Sequence, residues 1–178
     1  MLVKETDTQN YGRCMSLTAG KVTLLVTLDY GPRIASLTYD GSPNMFFTDT
    51  EDEVNKSNSL MDPSLKGMGD WHIYGGHRLW KCPEDIASYF PDNAPVKVER
   101  EGDGVRFSSA FEPSTGLVKS MYITASDDGA FRIEHRFLNG TSAPLPPVSL
   151  WALTVLAGGA VVKAPLDTSD TGLLPNRN

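Results

Sequence analysis

Between Tyr74 and Glu84 the chain places two glycines, an imidazole, a guanidinium, an indole and a carboxylate: Gly75, Gly76, His77, Arg78, Trp80 and Glu84. That density of polar chemistry exceeds what a buried strand holds or a plain connection needs, so the segment reads as a site. The glycines can adopt positive φ and bring backbone close to a ligand. His77 can exchange a proton near neutral pH, and Arg78 can donate a forked pair of hydrogen bonds. Trp80 offers a flat apolar face. Together they suit a neutral polyhydroxylated molecule such as a sugar, whose ring has apolar C–H faces and a rim of hydroxyls.

Opening and closing a sugar ring needs a proton donor at the ring oxygen and an acceptor at the anomeric hydroxyl, both within hydrogen-bond reach of one bound molecule. His77 is the candidate donor, against the plainer role of holding a loop through backbone hydrogen bonds. Glu84 is the candidate acceptor. Arg78 stays protonated and therefore binds hydroxyls or pairs with a carboxylate such as Glu84 rather than moving protons. Of Trp71, Trp80 and Trp151, one is expected against a ligand, with Trp80 the first choice, since tryptophan also fills cores. Asp92 and Asn93, in Pro91-Asp92-Asn93-Ala94-Pro95, either bind hydroxyls or serve as turn residues. His135 alternates onto the face of Phe131, Ile133 and Phe137, which fits a core histidine and equally the concave face of a sugar-binding sheet. His72 precedes His77 by five residues without further ligands at metal spacing, so no metal and no cofactor are called for.

Stepping out from these residues, alternation dominates the chain. Val22 to Leu28 puts apolar residues at 22, 24, 26 and 28 on one face of a strand. Turn chemistry at Tyr30-Gly31-Pro32-Arg33 leads to a second strand, Ile34 to Tyr39, and the two form a hairpin. From Ser42 to Asp70 periodicity disappears, apart from a short apolar Met45-Phe46-Phe47, and the length of this irregular connection suits a lid over a site or a surface excursion. Further strands are expected over Val96–Arg100, Val105–Phe111, Leu117–Ala125, Phe131–Leu138, Val148–Leu156 and Ala160–Ala164, with turn signals between them. Without a convincing amphipathic helix, alternating α/β architecture is excluded. The expected fold is all-β, an antiparallel β-sandwich in a single domain spanning 1–178.

Composition bounds the partners. The 178 residues carry 16 Lys and Arg against 22 Asp and Glu, a net charge of -6, and no basic cluster stands out, which argues against nucleic acid. Cys14 and Cys82 are the only cysteines, without disulfide-framework or metal spacing, so a reducing compartment and a cytoplasmic location are expected. Val148 to Val162, the most apolar stretch, is shorter than the roughly 20 residues of a bilayer span and is broken by Gly158-Gly159, so no membrane segment is expected. The acidic run Asp49 to Glu53 lacks the spaced ligands of a calcium loop and reads as a solvated turn.

Gly31-Pro32-Arg33-Ile34, Asn44-Met45-Phe46, Gly75-Gly76-His77-Arg78-Leu79-Trp80 with Pro83-Glu84, Pro91-Asp92-Asn93-Ala94-Pro95 and Trp151-Ala152-Leu153-Thr154, taken in order, resemble the galactose mutarotase-like superfamily. Within it the chain is most similar to aldose 1-epimerase-like proteins. The Gly-Gly-His-Arg-Leu-Trp string is the specific part. The resemblance implies a large β supersandwich whose concave face binds a sugar, with ring opening by general acid and base in the competent members. It also implies an acid histidine on a central strand, yet Val148 to Thr154 contains none. The family's base is a carboxylate near the end of a longer chain, and no residue here takes its place.

A supersandwich without its closing strands leaves apolar faces and strand edges uncovered. A fragment of a longer chain is the first expectation and self-association the second, ahead of a contracted fold. Three readings follow: a cofactor-independent aldose 1-epimerase-like enzyme, a carbohydrate-binding module that has lost its acid and base, and a structural sandwich piece of a larger assembly.

Overall fold

The computed structural model describes residues 1–51 and 72–163. It is all-β and built from two antiparallel sheets. The strands are β1 (Leu2–Thr8), β2 (Gly12–Ala19), β3 (Val22–Thr27), β4 (Ile34–Tyr39), β5 (His77–Cys82), β6 (Lys97–Glu101), β7 (Gly104–Ser108), β8 (Leu117–Ala125), β9 (Phe131–Asn139) and β10 (Ser149–Thr154). One sheet has the order β1-β2-β3-β4-β5-β10 and the other β6-β7-β8-β9. A single turn of 3₁₀ helix, Ile86–Tyr89, follows β5, and Asp85 caps it by accepting from the Ser88 amide. Among the described residues no helix is long and apolar enough to cross a membrane, which says nothing of strands.

The two sheets share one core. Leu17, Leu24, Val26 and Ile34 of the first meet Val105, Phe107, Met121 and Ile123 of the second. The period-2 pattern of β3 predicts this, since residues two apart share a face, and Leu24 and Val26 are buried as that pattern requires. Burying each such side chain is worth about 1.5–3 kcal/mol, so these eight residues lock one sheet against the other.

The β3–β4 hairpin forms as expected, with Val22 opposite Tyr39 and Val26 opposite Ile34. The strands of the second sheet lie where alternation places them, within a few residues at their ends. Three differences matter. β1 and β2 were not foreseen, because Lys4-Glu5-Thr6-Asp7 interrupts any apolar rhythm in β1. His77–Cys82, expected to be too polar for a strand, is β5, and Leu79, Trp80 and Lys81 are consecutively buried within it. The segment 160–163 is not a strand, and Ala164 lies outside the described residues. Of the expected irregular connection, 42–51 is irregular, with only the isolated bridges Phe46 to Leu156 and Thr48 to Gly75, and 52–70 lies outside the described residues.

β5 is fixed from both sides. Six residue pairs align it with β10, from Thr154 opposite His77 to Ser149 opposite Cys82. On its other side it meets β4 at one pair, His77 with Ile34. His77 is thus the point at which β4, β5 and β10 come together.

Candidate functional site

Gly75 and Gly76 deliver the chain to that point. Both have positive φ, 75° and 70°, which L side chains avoid. A Cβ on Gly76 would strike the carbonyl oxygen of Ile34, and one on Gly75 would strike that of Phe47. The glycines therefore permit close approach between segments of this chain: Gly76 donates its amide to Phe47 at 2.8 Å, and its carbonyl accepts from Val155 at 2.9 Å.

The His77 imidazole reaches out of the first sheet. Its Nδ1 lies 2.8 Å from the Thr154 hydroxyl on β10, and its Nε2 lies 3.0 Å from Nε2 of His135 on β9, in the second sheet. The ring centroids are 5.1 Å apart. β8 sets the position of His135, since Met121 stands opposite it in the ladder. Burial first, then His135 and Arg33, push the His77 imidazole down to about 4, and burial also lowers His135. Both rings are then neutral at pH 7, so one Nε2 carries the proton and the other accepts it. The Thr154 hydroxyl can donate or accept and so fits either tautomer. In both cases Nδ1 of His135, which is buried, has no hydrogen-bond partner among the described residues.

Beside His77 lies a cluster of buried charge. Arg33 donates through Nη1 to the Gly75 carbonyl and through Nη2 to Oδ2 of Asp92 at 2.9 Å. Arg78 approaches the same carboxylate oxygen at 3.9 Å. Side-chain exposures of 3% for Arg33, 13% for Arg78 and 12% for Asp92 place the trio out of bulk solvent. Burial opposes the Asp92 charge, but Arg33, Arg78 and Lys119 outweigh it and hold the carboxyl below the usual carboxylate range. For Arg78, burial and Arg33 overcome the pull of Asp92, Glu112 and Glu84, and its pKa falls to about 10. Lys119 and Glu112, 2.7 Å apart, form a second buried pair.

Two hollows adjoin this region. One of about 190 Å³ is lined by Arg33, Tyr74, Gly75, Gly76, Arg78 and Leu153 among others. The second, about 270 Å³, is lined in part by Tyr11, Tyr30, His72 and Tyr74. They share Tyr74, whose ring stacks on Tyr30 at 4.3 Å and lies 5.3 Å from the Arg33 guanidinium. Neither hollow is lined by His77 itself, although Gly76 and Arg78 on either side of it line the smaller one. A third, about 340 Å³, lies by Lys81, Pro83 and Asp85 beyond the far end of β5, where Lys81 and Asp85 satisfy one another at 2.9 Å.

The expected residues divide accordingly. His77 and His135 are brought together, as are Arg78 and Asp92. Glu84 is not: it is exposed and follows the end of β5, and a strand advances about 3.3 Å per residue, so Cys82 alone is already roughly 16 Å from His77. Trp80 is corrected from a stacking face to a buried residue, 2% exposed, with the Arg78 guanidinium 3.7 Å and the Lys119 ammonium 4.8 Å from its ring centre and Tyr89 edge-on at 5.8 Å. Asp92 is a strut between guanidiniums, and its carbonyl also accepts from Gly31 at 2.7 Å. Asn93 accepts from the Tyr74 hydroxyl at 2.7 Å. Trp71 lies outside the described residues, and Trp151 is exposed on β10.

Sequence reasoning did not assign Arg33, Tyr30, Tyr11 or Thr154 to the site. Arg33 and Thr154 lie in Gly31-Pro32-Arg33-Ile34 and Trp151-Ala152-Leu153-Thr154, strings too common to carry a role singly. Tyr11 and Tyr30 left no signal, because only the fold brings them to Tyr74. Compared with protein-family models, curated proteins and solved structures, the chain has no match among them.

Proposed function

We propose that this chain is a carbohydrate-binding protein of the aldose 1-epimerase kind, in which the His77–His135 pair exchanges protons with the sugar. The observation that carries the reading is the meeting of two imidazoles, from different sheets, at 3.0 Å between their Nε2 atoms. A neutral pair sharing one proton holds an N–H donor and a bare ring nitrogen together. The donor gives its proton to the ring oxygen while the bare nitrogen takes the anomeric hydroxyl proton, and the C1 to ring-oxygen bond breaks to leave an open-chain aldehyde and a hydroxyl. The proton gained by the accepting ring passes across the Nε2–Nε2 contact, so that neither ring is left as an imidazolate. Rotation about the C1–C2 bond and the reverse transfers close the ring as the other anomer, with no net change in protons. The tyrosine-lined cleft supports the reading, since aromatic rings suit the apolar faces of a pyranose.

A second reading is favoured by a specific observation: both ring nitrogens of His77 are engaged internally, by Thr154 and by His135. On that reading the chain binds sugar without turning it over. Exchange NMR on a mixture of α and β anomers separates the two. Acceleration by the wild type that falls by about 10² to 10⁴ in His77→Ala supports the enzyme. Binding without acceleration supports the module, and absence of both overturns the carbohydrate reading.

A further inference from the structure

The hollow beyond the far end of β5 is the largest of the three, about 340 Å³, within the roughly 300–1,000 Å³ over which pockets enclose a small molecule. Its walls include four prolines, Pro83, Pro113, Pro146 and Pro147, together with Leu145. A proline has no backbone N–H, so these four contribute apolar ring faces and no amide donor. The hydroxyls in the wall are committed within the fold. Ser114 donates to the Ala87 carbonyl at 2.8 Å, and Thr115 donates to Glu112 at 3.0 Å.

Lys81 is the exception. Its side chain is only 7% exposed and lines the hollow. An ammonium carries three donors, and two are taken, by the Pro83 carbonyl at 2.8 Å and by Oδ2 of Asp85 at 2.9 Å. Among the described residues no acceptor takes the third. A buried donor left unmatched is costly, so the hollow favours a molecule that brings an acceptor. The charge of Lys81, by contrast, is already neutralised by Asp85, whose other oxygen is held by the amide and hydroxyl of Ser88. An anion brought to Lys81 would meet that fixed carboxylate.

We propose that this hollow binds a neutral, largely apolar small molecule ending in a carbonyl oxygen, the class of a ketone or ester, with Lys81 donating to that oxygen. The site is separate from the imidazole pair, since about 3.3 Å per strand residue puts Lys81 roughly 13 Å from His77. It does not rest on the carbohydrate reading.

Amide chemical-shift titrations with acetophenone, ethylbenzene and benzoate test this, because the three share a phenyl ring and differ in carrying a neutral acceptor, none, or a charge. Acetophenone is expected to shift Thr115, Gly116 and Val148, which line the hollow, saturably while the His77 and His135 side-chain signals stay in place. It should bind tenfold or more tightly than either of the others. In Lys81→Met that advantage falls to the level of ethylbenzene, and in Ala87→Phe, which fills the hollow from a half-buried position, the shifts disappear. Absence of saturable shifts in the wild type, or ethylbenzene binding as tightly as acetophenone, would overturn the proposal. Benzoate binding as tightly as acetophenone would overturn the neutral class of ligand and the part given to Asp85. Should either variant fail to fold, the ranking of the three probes on the wild type decides.

Discussion

The half-buried His77 is held as a neutral ring, and that has a consequence for acid stability. Its pKa is about 4 in the fold against an ordinary 6.5. Above pH 6.5 the imidazole is neutral in folded and unfolded chains alike, so the shift contributes nothing. As pH falls from 6.5 towards 4 the unfolded chain takes up the proton first, and the fold loses on the order of 3 kcal/mol by this group alone. Asp92 acts in a lower window: its depressed carboxyl favours the fold above the ordinary carboxylate pKa, and that contribution is lost as pH falls through its folded value. Urea unfolding at a series of pH values should show stability declining between pH 6.5 and 4, with much of that slope removed in His77→Gln. A variant that keeps the full slope would show that another group sets it. At this scale the sequence made His77, Arg78 and His135 legible, because an imidazole or guanidinium in unusual company stands out by type. Arg33 was hidden, because what marks it is a buried nitrogen without a hydrogen-bond partner among the described residues, which only coordinates display.

At the scale of elements, β5 depends on the two glycines that precede it. Replacing Gly76 by Ala puts a side chain at φ 70° and drives its Cβ into the Ile34 carbonyl. The strained backbone alone costs about 1–3 kcal/mol, and relief of the contact would move His77 away from Ile34 and with it from His135. Gly76→Ala is therefore expected to lower thermal stability by several degrees for the domain and to disturb the His77 and His135 side-chain resonances. Gly41→Ala, whose Cβ would meet nothing within 4 Å at a similar φ of 75°, isolates the backbone part of that loss. The strand itself escaped the sequence because alternation is a signal of one wet and one dry face. β5 has Leu79, Trp80 and Lys81 all buried, the loop after it and the neighbouring strands covering both sides, so no period of two remained. β3 and β8 were readable because their buried apolar residues keep to one face, Leu24 and Val26 in β3 and Leu117, Met121 and Ile123 in β8.

For the molecule as a whole, the four outer strands are unequal. β1 carries Lys4, Glu5 and Asp7; β6 carries Lys97, Glu99, Arg100 and Glu101; β9 carries Arg132, Glu134 and Arg136. Charges of this kind discourage edge-to-edge pairing. β10 has none, and from Phe137 to Val162 the chain has no charged residue at all. Leu150 and Trp151 are 52% and 41% exposed on it. Sedimentation velocity is expected to show association rising with concentration, reduced in Trp151→Lys; a wild type that stays monomeric throughout would overturn this. The all-β class and most strands were legible in the alternating pattern. The division into six and four strands was not, because which strand neighbours which is decided by contacts far apart in the chain, such as Leu17 and Val26 with Phe107 and Met121.

The two cysteines occupy opposite situations. Cys14 is fully buried and its thiol is pushed up to about 11, chiefly by desolvation, whereas Cys82 is exposed where β5 ends, opposite Ser149. Thiolate is the reactive form, so a maleimide dye added to the native protein attaches at one position without mutagenesis. The fluorophore then rides on the strand that carries His77, and its quenching or depolarisation becomes a direct optical readout of ligand arrival and of a second molecule docking along β10.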